Sequence, residues 1–299
     1  MREAGHPEKR PGAVTEPPDD GSLEYTGERM VPEKADSATF WEHIYRYRFA
    51  AEFVRDKRVL DIACGEGYGT AALLRAGAAS VVGIDVSSRA CAHARRKYGV
   101  DARVGDVRAI PLPNRSIDIV VSYETLEHVT EPALFLNECL RVLAPMGRLI
   151  MSTPNRDVFQ EAGRHNDFHC SELNPEEFMA LLAPCFERVE LYSQCPLSAA
   201  WWSPSSLAAS RSPWLRIKGS WRVRELLRAL LCPHVRGDVK ARWRQSPVDA
   251  VLVTDLWLSR LVNFFCVRRW SVRSHERPLY IIAVADKFPE ASRQGPPIG

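Results

Sequence analysis

Acids and histidines able to do chemistry fall into two groups along this chain of 299 residues. The first is the run Glu124, Glu127 and His128, spaced E-x-x-E-H, with His43 far before it and His169 far after it. On a turn or short helix, residues three and four apart share a face, so Glu124 is expected to converge with Glu127 and His128. Two carboxylates and an imidazole suit a divalent cation that would acidify a hydroxyl held against it. Without a cation the same residues would serve as polar pocket walls or as one base. An unperturbed imidazole titrates near neutral pH, which makes His128 the first candidate base, with His169, His43 and Glu124 competing. The second group is Asp61, Asp85 and Asp106, each at the end of a short apolar run.

Those three acids need strands to hold them. Val59, Leu60 and Ile62 have the β-branched, apolar character of a buried parallel strand. Gly65, Gly67 and Gly69 then break it ahead of Thr70–Arg75, a run of good helix formers. Strand, glycine turn and helix in that order let a backbone approach a ligand closely and point unpaired N–H groups at negative charge. A nucleotide-like ligand follows. A dinucleotide fingerprint would need a third glycine where Thr70 stands, which argues against a dehydrogenase.

The same alternation continues. Residues 80–85 read as a second strand whose terminal Asp85 would accept from ribose hydroxyls, and 87–98 as a helix. Residues 102–107 read as a third strand, where Asp106 would accept from an adenine amino group. Residues 116–122 read as a fourth strand, 133–143 as a helix, and 148–155 as a fifth strand and its exit. Units of this kind make a parallel sheet with helices on both faces, and ligands sit beyond the carboxyl ends of its strands. Before the core, residues 39–50 form a helix with Phe40, Ile44 and Tyr47 on one face. His43 and Arg46 flank that stripe, facing solvent in the simplest reading. After it, Asn174 would cap a helix over 175–182, and 186–192 and 277–285 read as two last strands.

The D-x-A-C-G-x-G-x-G run from Asp61 to Gly69, together with Asp85, Gly105-Asp106 and the segment after the fourth strand, resembles the core of class I S-adenosylmethionine-dependent methyltransferases over residues 58–155. The wider set GERMVPE, EHIYRYRFA, LDIACGEGYG, ETLEHV, STPNR and FHCSELNPEEF is similar, over about 24–193, to methyltransferases encoded beside glycosyltransferases in bacterial polysaccharide and glycosylated-metabolite pathways. The resemblance implies a seven-stranded sheet of order 3-2-1-4-5-7-6 with strand 7 antiparallel. It implies that Ala63, Gly65 and Gly67 cradle the methionine part of the cofactor with Asp61 near its ammonium. Asp85 and Val86 would then meet the ribose, Asp106 and Val107 the adenine, and Tyr123 the sulfonium. It also implies that the first helix caps the pocket, which brings His43 and Arg46 toward it. A comparable E-x-x-E-H with a later histidine binds Mg2+ or Mn2+ in some related RNA 2′-O-methyltransferases, and His169 stands where that histidine would be.

Composition sets the outer bounds. Eight cysteines without a C-x-x-C pair indicate neither a disulfide framework nor a cysteine zinc site and fit a reducing cytoplasm. The start of the chain lacks the apolar core of a signal peptide, and no uncharged apolar run is long enough to span a bilayer. The expected organisation is a disordered tail over 1–22, a capping helix region over 23–56 and a catalytic core over 57–196. A helical insertion over 197–276, a final strand over 277–287 and a flexible tail over 288–299 complete it. The insertion holds seven of the eight tryptophans, and residues 211–244 carry ten Lys or Arg against Glu225 and Asp238. Within it, residues 221–231 read as a basic amphipathic helix that would lie on an anionic membrane, hold a phosphorylated or lipid-linked substrate, or dock on a neighbour, and the apolar residues 248–267 read as a helical lid or homodimer interface. Nucleic acid is the least favoured partner. The leading expectation is O-methylation of a sugar hydroxyl in a glycan, nucleotide-sugar or glycosylated metabolite. RNA 2′-O-methylation and a non-catalytic scaffold that binds the cofactor are the alternatives.

Overall fold

A computed structural model of the chain describes residues 29–35, 37–161, 163, 166–194, 246–248, 267–272 and 278–288. The tail over 1–22, the basic segment 211–244 and most of the expected helical insertion lie outside the described residues. Helix α1 (Ser37–Ala51) precedes the first strand, β1 (Arg58–Ile62), which passes through the glycine turn into α2 (Tyr68–Arg75). Strand β2 (Ser80–Asp85), helix α3 (Ser88–Tyr98) and strand β3 (Asp101–Val104) complete one half of the sheet. The other half begins with β4 (Ile117–Ser122) and a 3-10 turn over Leu126–His128, then α4 (Pro132–Val142) and β5 (Leu143–Pro154). Two short helices, α5 (Arg156–Glu161) and α6 (Pro175–Leu182), lead to β6 (Arg188–Gln194), β7 (Val267–Trp270) and β8 (Tyr280–Asp286).

Eight strands form one sheet of order β3-β2-β1-β4-β5-β8-β6-β7. The strands from β3 to β5 pair in parallel, and β8 runs antiparallel to both β5 and β6. This is the expected class I topology with one strand more than the seven expected. The extra strand, β7, lies inside the segment read as helical, and its four residues pair antiparallel with Leu191–Gln194. An open β6 edge presents unpaired N–H and C=O groups, and β7 closes it. Trp270 packs on the core beside it and Arg269 pairs with Glu190. Periodicity missed β7 because four residues are too short to show an alternation.

The period of two along each strand divides the core between two faces. Val59, Val81, Ile119, Val121 and Ile150 pack with residues of α1, α2 and α3. Their neighbours Leu60, Ile84, Val120, Leu149 and Met151 pack with α4 and α6 on the opposite face. Chain order reverses between β1 and β4, and this switch point leaves a crevice at the strand ends. Two glycines let the surrounding helices close on it. A Cβ on Gly67, whose φ is 93°, would come within 2.4 Å of the Ala94 Cβ in α3. On Gly69 it would lie 2.0 Å from the Tyr47 ring in α1. Helix α6 begins where the sequence placed its cap: the Asn174 side chain accepts from the Glu177 N–H, and Glu177 accepts from the Asn174 N–H.

Candidate active site

A cavity of about 380 Å³ opens over the carboxyl ends of β1, β2 and β4. Of the residues singled out in the sequence, Ala63, Gly65, Asp85, Val86, Asp106, Val107, Tyr123, His43, Glu124 and His128 line it. Asp61, Gly67, Glu127 and His169 are not in its wall.

One end of the cavity is held together by paired groups. Asp85 accepts from the Gly65 N–H at 2.9 Å and the Ser87 N–H at 2.9 Å, so one carboxylate shapes the glycine turn and the start of α3 together. Arg29, from the segment before α1, reaches the same carboxylate at 3.3 Å. Val86 beside it is 75% exposed, an apolar ledge at the cavity edge. Asp106 accepts from the Arg108 N–H at 2.8 Å and from its guanidinium, and those hydrogen bonds hold its carboxyl below the usual range. Asp61 sits beneath the wall, where it accepts from the Tyr47 hydroxyl at 3.0 Å and the Thr70 hydroxyl at 2.6 Å. Burial pushes its carboxyl up to about 6 against the pull of those two bonds.

Tyrosines bridge the middle. Tyr47, Tyr68 and Tyr123 all line the cavity, and Tyr47 meets each of the other two rings edge-on at 5.3 and 5.2 Å. The Tyr123 hydroxyl donates to the Arg46 carbonyl at 2.8 Å, which ties β4 to α1. Arg46 itself is wholly buried rather than solvated, over the Tyr280 ring at 4.5 Å and donating to the Gln194 Oε1 at 2.9 Å. The simple reading of α1 with its polar side chains in water therefore fails at Arg46, because β6 and β8 pack over that face. His43 lines the cavity, and burial with the Arg46 charge nearby holds its imidazole well below the usual range, in the neutral form.

The far end separates residues that the spacing joined. Glu124 has a φ of 51°, a left-handed conformation uncommon for a non-glycine residue. It turns to Ser152, whose hydroxyl donates to Oε1 at 2.7 Å. Glu127, His128 and His169 instead bring their ligand atoms within 4.8 Å of one another, without Glu124. The expected convergence of Glu124 with Glu127 and His128 is thus corrected: 3-10 geometry begins at Leu126, two residues past the strained tip, and Glu124 stays outside the group that Glu127 and His128 join. His169 arrives because the Cys170 and Ser171 N–H groups donate to the Glu127 carbonyl at 2.8 and 3.0 Å. Burial, with Glu124 next in effect, pushes the Glu127 carboxyl well above its usual range.

Sequence reasoning missed the contribution of Arg29, Tyr68 and the Tyr47 hydroxyl to the site. Tyr68 stood inside the glycine turn and Tyr47 on the helix stripe, so both positions were visible. Their convergence on one cavity depended on how α1 docks.

A parallel sheet with a switch-point cavity, a glycine turn held by an acid from the next strand, and an acid at the third strand end together define a nucleoside-cofactor transferase of the class I type. The comparisons carry this further. A "Methyltransferase domain" family model matches residues 60–151. A Mycolicibacterium smegmatis protein described as a "Probable S-adenosylmethionine-dependent methyltransferase" is 40% identical over 175 residues, 56% of this chain and 67% of the relative. The chain thus spans about two thirds of that relative's length. A ubiquinone biosynthesis O-methyltransferase of Parvibaculum lavamentivorans is 35% identical over 108 residues, 34% of this chain and 42% of that protein. A solved S-adenosylmethionine-dependent methyltransferase from Archaeoglobus fulgidus shares the fold at 15% identity and a TM-score of 0.50, covering 84% of this chain and 95% of the other. The chain belongs to the S-adenosylmethionine-dependent methyltransferases.

Proposed function

We propose that the chain methylates a hydroxyl oxygen, on a sugar of a glycan, nucleotide-sugar or glycosylated metabolite. The observation that carries this reading is the polar end of the cavity, where Glu124, Thr125, His128 and Thr130 follow the three tyrosines. Hydroxyls and carboxylates there would match a polyhydroxylated acceptor, whereas a flat aromatic acceptor would call for an apolar slot. The name of the ubiquinone relative supports oxygen as the acceptor atom.

S-Adenosylmethionine supplies an activated methyl group on a sulfonium, and the residues present fit it. The Tyr47, Tyr68 and Tyr123 rings offer π-electron density to a cation. Asp85 would accept from the ribose hydroxyls, exchanging its long contact with Arg29 for them. Val86 and Val107 would flank the base, and Asp106 would accept from its amino group. The backbone of Ala63 and Gly65 would face the methionine part, and Gly67 would shape the turn from behind. Asp61 would act through Tyr47 and Thr70, holding α1 and α2 in place, since it is buried beneath the cavity wall.

At the polar end, Glu124 and His128 would hold the acceptor hydroxyl in line with the methyl carbon and exclude water. A sugar hydroxyl is far less acidic than imidazolium, so its proton leaves during transfer. The two electron pairs at hand are the His128 Nε2, since its Nδ1 faces the Phe168 carbonyl at 3.0 Å, and the Glu124 carboxylate. The basic segment that motivated the RNA alternative lies outside the described residues, and no observation favours that reading.

The test is methyl uptake from labelled cofactor by purified protein offered nucleotide-sugars, glycans and phenols in parallel. Label recovered as an O-methyl sugar after acid hydrolysis is the expected result. Label confined to phenols or to nitrogen would overturn the proposal.

A further inference from the structure

Glu127 has no relative exposure, and neither of its carboxylate oxygens has a hydrogen-bond partner. A buried carboxylate left this way is costly unless a positive charge meets it or it stays protonated. Its neighbours are two histidines whose tautomers are already set. His128 Nδ1 donates to the Phe168 carbonyl at 3.0 Å, which leaves its lone pair on Nε2. His169 Nδ1 donates to Glu172 at 2.6 Å, which likewise leaves the lone pair on Nε2, where the Asn166 amide donates at 2.9 Å. Metal-binding histidines are held in this manner, one ring nitrogen on a carboxylate or carbonyl and the other on the cation.

We propose that Glu127, His128 and His169 form a binding site for one divalent first-row transition cation, with Glu172 and the Phe168 carbonyl orienting the two rings. Two imidazoles and one carboxylate make a softer donor set than the oxygen-only shell that Mg2+ requires, and the same set serves Zn2+ and Fe2+ in open catalytic sites. One ring nitrogen of each histidine and a Glu127 carboxylate oxygen lie within 4.8 Å of one another. Metal–ligand bonds of about 2.1 Å ask the 166–172 segment to close by roughly an ångström, with the Asn166 amide giving way. Because that segment hangs from the Glu127 carbonyl through the Cys170 and Ser171 N–H groups, the movement needs no rearrangement of the sheet.

His128 lines the cavity while Glu127 and His169 stand behind it, so a coordination position left open would face the acceptor end. A hydroxyl bound there would be acidified, and its proton would pass to Glu124 instead of His128. That role rests on the methyl-transfer reading. Binding of the cation does not, and it is measured without cofactor or acceptor.

The experiment is calorimetric titration of chelator-stripped full-length protein with Zn2+, Mn2+ and Mg2+, on wild type, Glu127→Gln, His169→Ala and Glu124→Gln. Retained affinity for S-adenosylmethionine shows that each variant is folded. The expected result is one Zn2+ or Mn2+ per chain, with affinity weakened at least tenfold by Glu127→Gln and by His169→Ala and little changed by Glu124→Gln. The proposal is overturned if the wild type binds no transition cation, or if its affinity ignores both substitutions and the cation therefore sits elsewhere. It is equally overturned if Mg2+ binds as well as Zn2+ and depends on Glu124.

Discussion

Two halves of the sheet are built differently. On the half formed by β1, β2 and β3, the buried carboxylates are paired: Asp61 with Tyr47 and Thr70, Asp85 with Gly65 and Ser87. The other half follows another rule. Among the described residues, eight buried side-chain polar atoms lack a partner. They belong to Arg46, Ser122, Glu127, Thr153, Asn155 and Ser193, on α1, β4, β5, β6 and the segments that leave β4 and β5. Native proteins rarely leave such groups unpaired, because each carries the full cost of its lost hydration. The difference teaches that the side around the glycine turn is finished by its own side chains, whereas across β4, β5 and β6 buried polar atoms stay unpaired behind the cavity wall.

The contrast breaks if substitutions at the two ends behave alike. Asp85→Ala should weaken S-adenosylmethionine binding at least about 100-fold in calorimetry, roughly 2.7 kcal/mol, because it removes the proposed ribose acceptor and the clamp on Gly65 together. An unchanged Kd would show that the cofactor end is not where the strand ends indicate. Gly69→Ala should cost about 3 kcal/mol in denaturant unfolding, since its Cβ would fall 2.0 Å from the Tyr47 ring and displace α1. Failure to destabilise would mean that α1 does not pack tightly against α2.

Asp61 supplies a pH test of the paired half. Its folded pKa, about 6, lies above the ordinary 3.8, so the stability it contributes is fully present below about pH 4 and is lost as pH rises through 6. In cofactor-free protein this amounts to about 3 kcal/mol at most across that window. Asp61→Asn should flatten the corresponding slope of Tm against pH, and a slope that survives the substitution unchanged assigns it to other groups. The remaining slope should shrink again in Glu127→Gln, whose carboxyl is raised in the same direction.

The smallest effects sharpen the comparison most directly. Thr70→Val removes the donor to Asp61 and should cost about 1–2 kcal/mol, as for a buried hydrogen bond to a carboxyl group. Ser193→Ala on the unpaired half removes a buried hydroxyl with no partner and should change stability by less than about 0.5 kcal/mol. Equal costs for the two in chemical denaturation would erase the distinction between the halves.

Much of the paired half was legible in the chain because it is local. Strand, glycine turn and helix run consecutively from Arg58 to Arg75, and an acid at a strand end needs no distant partner to be recognised. The Asn174 cap with Glu177 was readable for the same reason, its partners standing three residues apart. The unpaired half was not legible. Arg46 is buried by β6 and β8, which lie far away in sequence, and one backbone angle at Glu124 undoes the shared face that its spacing with Glu127 suggested. Strand β7 carried too few residues for a pattern and exists because β6 offered it an edge.

The sequence by itself therefore determined the sheet-and-helix core and the placement of Asp85 and Asp106 at strand ends, since each follows from short-range propensity and periodicity, while the cofactor class came from the resemblance of the Asp61–Gly69 run to class I methyltransferases. Tertiary structure alone decided which side chains meet at the acceptor end. Arg46, Glu127 and His169 reach their places through contacts between segments far apart in the chain, and burial then set which polar atoms found partners and which did not.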